Sequence, residues 1–273
     1  MPQAVGINFH QTFKPEKQYI SAIIEISDDH TVKSVKEISR ITGIPTGTSS
    51  GKVEPHIQYA TYMGLITYEK RDGEYSLKRT DMGDMVYVED PGLQEDLTLL
   101  LCHCMMQRVK TGAPMWSSVF REIMPRYKTG IKKNMLLMEL NSVLEGNATV
   151  KNIAPLYGSY DSFFDSIRLL KDDGDTVEVN DLAYNKEFIF MYAYVLFEYW
   201  REKYPDQDEI TSDELKELKF GNVFGWDTQE EYSALESMSD KGIIRMNRQL
   251  MPYTVLKLAE RENLVGKLYS ELC

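Results

Sequence analysis

Asp72-Gly73 sits between two stretches of alternating residues, 65–70 and 74–79, and this pairing constrains the chain more than any other feature. Asp-Gly flanked by alternating apolar and polar residues is a strong short-range signal for a β-hairpin, because both turn residues must take a positive φ. Three short helical patterns precede it. Residues 14–27 carry Tyr19, Ile20, Ile23 and Ile24 at helical spacing, and residues 31–42 carry Val32, Val35, Ile38 and Ile41. A charge-free, Gly- and Pro-containing connector at 41–51 leads to a third helix over 52–63, which Gly64 stops. Helix, helix, turn, helix and hairpin is the order of a winged helix-turn-helix, predicted here for residues 1–90.

The predicted fold is mainly α. Residues 91–184 read as a helical middle domain, with helices over 93–109, 116–124, 132–144 and 161–170. A C-terminal module spans 185–273 and opens with a long helix over 185–204. Capping-box spacings at Thr211-x-x-Glu214 and Asp227-x-x-Glu230 open two further helices. The second ends at Gly242, and residues 243–258 read as a hairpin before a short terminal helix. This order repeats that of the N-terminal module, so a second winged-helix-like unit is expected.

Charge narrows the function. The chain has 31 Lys and Arg against 42 Asp and Glu, a net charge of −11. Uniform acidity would exclude nucleic-acid binding, which depends on basic groups displacing counterions from phosphates. The charge is uneven, however. Residues 1–80 hold ten bases and nine acids, residues 108–133 hold seven bases against Glu122 alone, and residues 201–240 hold twelve acids against four bases. A DNA-facing surface therefore belongs in the N-terminal half and a protein-facing one in the acidic C-terminal half.

With Val53, Ile57, Ala60 and Gly64 placed inward, within about 40° of one another at 100° per residue, the third helix is expected to turn Pro55, Gln58, Tyr59 and Tyr62 outward. Gln58 suits adenine, while Ser50 and Lys52 at the helix start suit phosphate. Lys70, Arg71, Lys78 and Arg79 would lay the hairpin along the DNA backbone, reinforced by Arg121, Arg126, Lys128, Lys132 and Lys133. Double-stranded DNA is the expected partner. Contact with a partner protein competes with it, since Glu54, Glu69, Asp72 and Glu74 dilute the wing. The helix after Asp227 exposes Gln229, Glu230, Glu231 and Glu236. Carboxylates there repel phosphate, so that module is expected to dimerise or to bind a partner.

Enzyme signatures are mostly missing. Residues 46–53 (TGTSSGKV) lack the first Gly of a phosphate loop and the hydroxyl after its Lys. Cys102 and Cys104 flank His103 but stand about 200° apart on a helix, which suits core thiols better than metal ligands. No catalytic residue, metal site or cofactor is expected. The longest apolar run, 188–197, is too short for a bilayer span of roughly 20 residues. With no signal-like start and only three Cys, the expectation is a soluble, cytoplasmic protein with reduced thiols.

Several short motifs carry a family resemblance. They are Phe9-His10-Gln11-Thr12-Phe13, Gly51-Lys52, Met63-Gly64-Leu65-Ile66, and Glu89-Asp90-Pro91 ahead of Leu99-Leu100-Leu101-Cys102-His103. A later aromatic helix follows, from Phe190-Met191-Tyr192-Ala193-Tyr194 to Tyr199-Trp200. Their order resembles the bacterial and archaeal domain-of-unknown-function family 4007, over roughly residues 8–260. The chain departs from that pattern at Gln11, where the family has Glu. The resemblance implies a non-catalytic, DNA-associated accessory or regulatory protein of phosphorothioate DNA-modification or related phage-defence systems, working beside other proteins of such a complex. Two alternatives stay open: an adaptor whose winged helices bind a partner enzyme, and a metal-dependent nuclease.

Overall fold

The computed structural model describes residues 6–28, 30–47, 51–145, 148–249 and 251–272. The chain is mainly α-helical, with small three-stranded sheets. Its N-terminal part runs α1 (Lys17–Ile26), β1 (Val32–Ser34), α2 (Val35–Thr42), α3 (Val53–Tyr62), β2 (Ile66–Arg71) and β3 (Glu74–Arg79). Asp72 and Gly73 take φ of 52° and 83°, as a tight hairpin requires, and Arg71 pairs with Glu74 across the turn. The helix expected over 31–42 begins only at Val35. Ser34 and Glu37 form a reciprocal capping box, which starts the helix there and leaves Val32 and Lys33 extended against Ser76 and Tyr75.

The middle part runs α4 (Asp81–Glu89), α5 (Asp96–Met106) and α6 (Pro114–Ser117). A π-helical turn (Ser118–Ile123) and a 3-10 turn (Met124–Arg126) follow, then β4 (Ile131–Lys132), α7 (Lys133–Val143) and α8 (Val150–Tyr160). A 3-10 turn (Asp165–Ile167), β5 (Leu170–Asp172) and β6 (Thr176–Val179) complete it. Two expectations are corrected here. The helix placed at 161–170 lies earlier, capped by Thr149 and Asn152 and running through Pro155. The all-helical middle contains a hairpin. Its turn is the acidic run 172–175, where Asp172 accepts the amide of Gly174 at 2.8 Å and Asp173 that of Thr176 at 2.7 Å.

The C-terminal part runs α9 (Ile189–Lys203), β7 (Glu209–Thr211), α10 (Ser212–Glu217), α11 (Thr228–Asp240), β8 (Ile244–Asn247), β9 (Thr254–Lys257) and α12 (Arg261–Val265). Both capping boxes read from the sequence are present, at Thr211/Glu214 and Asp227/Glu230. A single plan now appears three times: a strand, two helices and a hairpin whose second strand pairs with the first strand. The sheet orders are β1-β3-β2, β4-β6-β5 and β7-β9-β8.

The three units share one core. Every residue of α5 from Leu97 to Met106 is buried, as is every residue of α9 from Ile189 to Trp200. Helices apolar on all sides belong in an interior. Tyr199 donates to the Cys104 carbonyl at 2.8 Å, locking the two helices together. Cys102 and Cys104 are buried free thiols, and burial pushes both thiol pKa values up. No helix among the described residues is long and apolar enough to cross a membrane.

His103 connects the repeats. Its Nδ1 lies 2.6 Å from the Tyr160 hydroxyl and its Nε2 lies 2.9 Å from the Val223 carbonyl, so one ring joins α5 to the middle and C-terminal units. Burial pushes its pKa down to about 4, and does the same to His10 and His56. These rings stay neutral in the fold, whereas in the unfolded chain they take up protons near pH 6.5. Stability should therefore be full above pH 7 and fall as pH drops through 6.5 toward 4. Urea midpoints across that range test this. His103→Phe, which unpairs Tyr160 and Val223, should cost about 3 kcal/mol and remove about one proton from the pH dependence; an unchanged profile would contradict this account of His103.

Candidate nucleic-acid interface

Helix α3 is covered where a reading helix would be open. The 6–13 segment folds into a turn, with Gln11 and Thr12 at positive φ and the Thr12 amide donating to His10 Nδ1 at 3.0 Å. That turn drives Phe9 into the core, with edge-to-face ring contacts to Tyr59 at 4.9 Å and Tyr62 at 4.6 Å. Trp116, just inside α6, joins the same cluster, packing on both Tyr59 and Phe9. Tyr59 is fully buried and donates its hydroxyl to the Phe13 carbonyl at 2.9 Å. Burial raises the pKa of Tyr59, and lifts that of Tyr62 to about 12.

The outward face expected for α3 is thus corrected: Pro55, Tyr59 and Tyr62 are buried. Periodicity identified the inner stripe correctly but could not show that the N-terminal turn and α6 close the opposite side. Gln58 is half-buried and donates to the Tyr68 hydroxyl at 2.7 Å. Lys52 points toward the N-terminal segment, paired with Glu16 at 2.6 Å and lying over the Phe13 and Tyr19 rings. Ser50 lies outside the described residues.

The hairpin keeps part of its expected charge. Lys70 pairs with Glu54 at 2.7 Å, and Arg71, largely exposed, pairs with Glu69 on its own strand. Lys78 is exposed and has no ion pair among the described residues. Arg79 instead braces the fold. It meets Asp28 and Asp84, donates to the carbonyls of Ile24 and Ser27, and stacks on Tyr87.

The basic stretch 108–133 is dispersed in the same way. Arg121 is buried, donating to the Leu218 carbonyl at 2.6 Å and stacked on Tyr199. Arg126 pairs with Glu139, Lys133 with Asp172, and Lys132 more loosely with Asp175 at 4.0 Å. Acids distant in sequence thus meet most of its bases, and no run-length count could reveal that.

Lys128 borders a cleft of about 700 Å³ between the middle and C-terminal units, with Tyr127, Asn180, Asp181, Trp226 and Asp227. Amide donation from the Glu230 and Gln229 backbone holds the Asp227 carboxyl below its usual range. Glu231, expected on the outside of α11, is half-buried and accepts the Gly221 amide at 3.1 Å, and burial raises its pKa. Gln229 is exposed, Glu230 is half-buried with its carboxylate accepting the Asp227 amide at 2.9 Å, and Glu236 pairs with Arg248. Among the described residues, no three His, Cys, Asp or Glu side chains gather as a metal-holding group.

With this geometry in place, the chain can be set against known proteins. No family model and no curated protein matches it. Solved structures do. The fold resembles that of SspB. Two SspB crystal structures, one of them magnesium-bound, each superpose with a TM-score of 0.74 over 97% of this chain and 86% of SspB, at 15% sequence identity. At that identity the likeness establishes the fold alone. It runs through all three repeats rather than one module, so the arrangement of the units is shared with SspB as well.

Side-chain placement separates structural from available bases. Arg79→Ala should cost about 2–3 kcal/mol of stability, because it strips partners from Asp28 and two carbonyls. Lys78→Ala should stay within about 0.5 kcal/mol of the parent. Thermal melts of the two variants check this; equal melting points would contradict the assignment.

Proposed function

We propose that this chain is a DNA-associated, non-catalytic accessory or regulatory protein of a DNA-modification system of the phosphorothioation type, or of a related phage-defence system, acting in the cytoplasm. The observation that carries the reading is the likeness to SspB along nearly the whole chain. The resemblance of its short motifs to family 4007 supports the same setting. In this reading the three repeats are winged-helix modules, and each hairpin is a wing.

DNA contact falls to phosphates rather than base edges, since the aromatic residues of α3 are buried. The exposed bases of the first hairpin, Lys70, Arg71 and Lys78, would lie along the duplex backbone, with Arg126, Lys128 and Lys132 as further contacts from the middle unit. Such binding is sequence-tolerant and strongly salt-dependent. A second reading, an adaptor for a partner enzyme or a second copy of this chain, is favoured by the closure of α3 and by the acidic surface of α11. The two are compatible if the first unit meets DNA and the last meets protein. Magnesium-dependent nicking of a plasmid would instead support a nuclease.

Changing Lys70, Arg71 and Lys78 to Ala together should lower the salt slope of duplex binding by about one unit for each phosphate no longer neutralised. An unchanged slope removes the first hairpin from the interface. Reversing Glu230 and Glu236 to Lys should leave DNA affinity intact or raise it, while changing light-scattering mass or partner capture. Loss of DNA affinity at unchanged mass and fold would overturn the division of roles.

A further inference from the structure

The loop between α5 and α6 surrounds a carboxylate with amide donors. Glu202, in the last turn of α9, accepts the backbone N–H of Val109 at 2.7 Å and of Lys110 at 3.3 Å on one oxygen. Its other oxygen accepts the N–H of Thr111 at 3.1 Å and the Thr111 hydroxyl at 2.8 Å. Four donors from three consecutive residues thus converge on a single anion. Successive backbone amides turned to one side form a nest, a geometry that binds phosphate and other anions.

The loop is closed from behind. The Gly112 amide donates to the Arg108 carbonyl at 3.0 Å and the Ala113 amide to the Met106 carbonyl at 2.9 Å. A Cβ on Gly112 would fall 2.3 Å from the Arg108 oxygen and 2.5 Å from the Met106 oxygen, so the turn requires glycine. The open side faces solvent, where Val109, Lys110 and Thr111 are exposed. Lys110 has no ion pair among the described residues.

Glu202 is an unfavourable permanent occupant on electrostatic grounds. It sits at the C-terminal end of a fifteen-residue helix, where the partial negative charge of the helix disfavours a carboxylate. Among the described residues it has no cationic partner, and the nest's amides and the Thr111 hydroxyl hold it. Its side chain is half-exposed, so it can swing out without disturbing the core.

We propose that residues 108–112 form a phosphate-binding nest, and that Glu202 fills it until a phosphate group displaces the carboxylate. The ligand chemistry is a phosphate oxygen set with at least two acceptors. It can come from a duplex backbone, which rests on the DNA reading above, or from a free phosphate compound, which does not.

The test uses the full chain and two variants, Glu202→Ala, which empties the nest, and Glu202→Gln, which keeps an acceptor but drops the charge. Melting is followed in inorganic phosphate and in chloride at equal ionic strength. Phosphate should raise the melting temperature of Glu202→Ala by about 3 °C more than that of the parent. Glu202→Gln should bind phosphate more tightly than the parent does. Equal shifts in parent and variants, or none, would make Glu202 a fixed loop cap and overturn the proposal. A second arm identifies the source. If the duplex backbone supplies the phosphate, Glu202→Ala should bind random duplex about tenfold tighter, because the competing carboxylate is gone, with a salt slope about one unit steeper. A phosphate effect without a duplex effect supports the nest and assigns it to a small phosphate compound. Duplex binding by the parent without any phosphate effect overturns the nest and leaves the DNA reading standing.

Discussion

The contact between α5 and α9, two helices buried on every side, is the constraint on which the rest of the structure depends. Neither could stand in water: each would expose apolar surface around its full circumference, at roughly 25 cal/mol for every Å². Covering them takes three units, not one. The polar groups carried inside by these helices then become connectors. His103 reaches Tyr160 and Val223, and Glu198, almost fully buried, gathers Arg261, Arg201 and Arg108. A buried carboxylate is costly unless cations and donors surround it, so Arg261 and Arg108 are committed to Glu198, while Arg201 reaches it from an exposed position. The repeats are therefore packed through one shared interior.

Local chemistry made much of this fold legible. Asp72-Gly73 fixed a hairpin through its φ requirement, and the capping boxes at Thr211 and Asp227 placed helix starts correctly. The middle repeat escaped notice because its signals were disguised. Pro155 and Gly158 make α8 read as broken, yet Thr149 and Asn152 cap it and tertiary packing holds it. The turn of its hairpin is written in aspartates, which look like a solvated charge run until their oxygens are seen accepting turn amides.

The candidate site was less legible than the fold, for a physical reason. Helical periodicity reports one buried stripe, and α3 has two, the second made by a segment about forty-five residues earlier and another about fifty-five later. Tyr59 and Tyr62 carry no local sign of that cover. Phe9-His10-Gln11-Thr12-Phe13 was the available clue, since an aromatic-rich motif near a chain start needs somewhere to bury its rings. Charge counting failed similarly. Residues 108–133 are strongly basic in sequence, but Arg121 is interior and Glu139, Asp172 and Asp175 meet its neighbours in space. What remains exposed is a sparse set of cations suited to holding a regular array of phosphates rather than reading bases. That pattern is compatible with the proposed accessory role, in which the chain would be positioned on DNA while specificity resides elsewhere.

Hydrogen exchange of the full chain, with and without a random-sequence duplex at low salt, tests the central claim most directly, because it reports where DNA sits and whether α3 opens. The account predicts new protection on the amides of the β2–β3 hairpin, with the exchange of α3, of residues 6–13 and of α11 unchanged. Protection confined to α11, or faster exchange in α3 and residues 6–13 as the duplex is added, would contradict it.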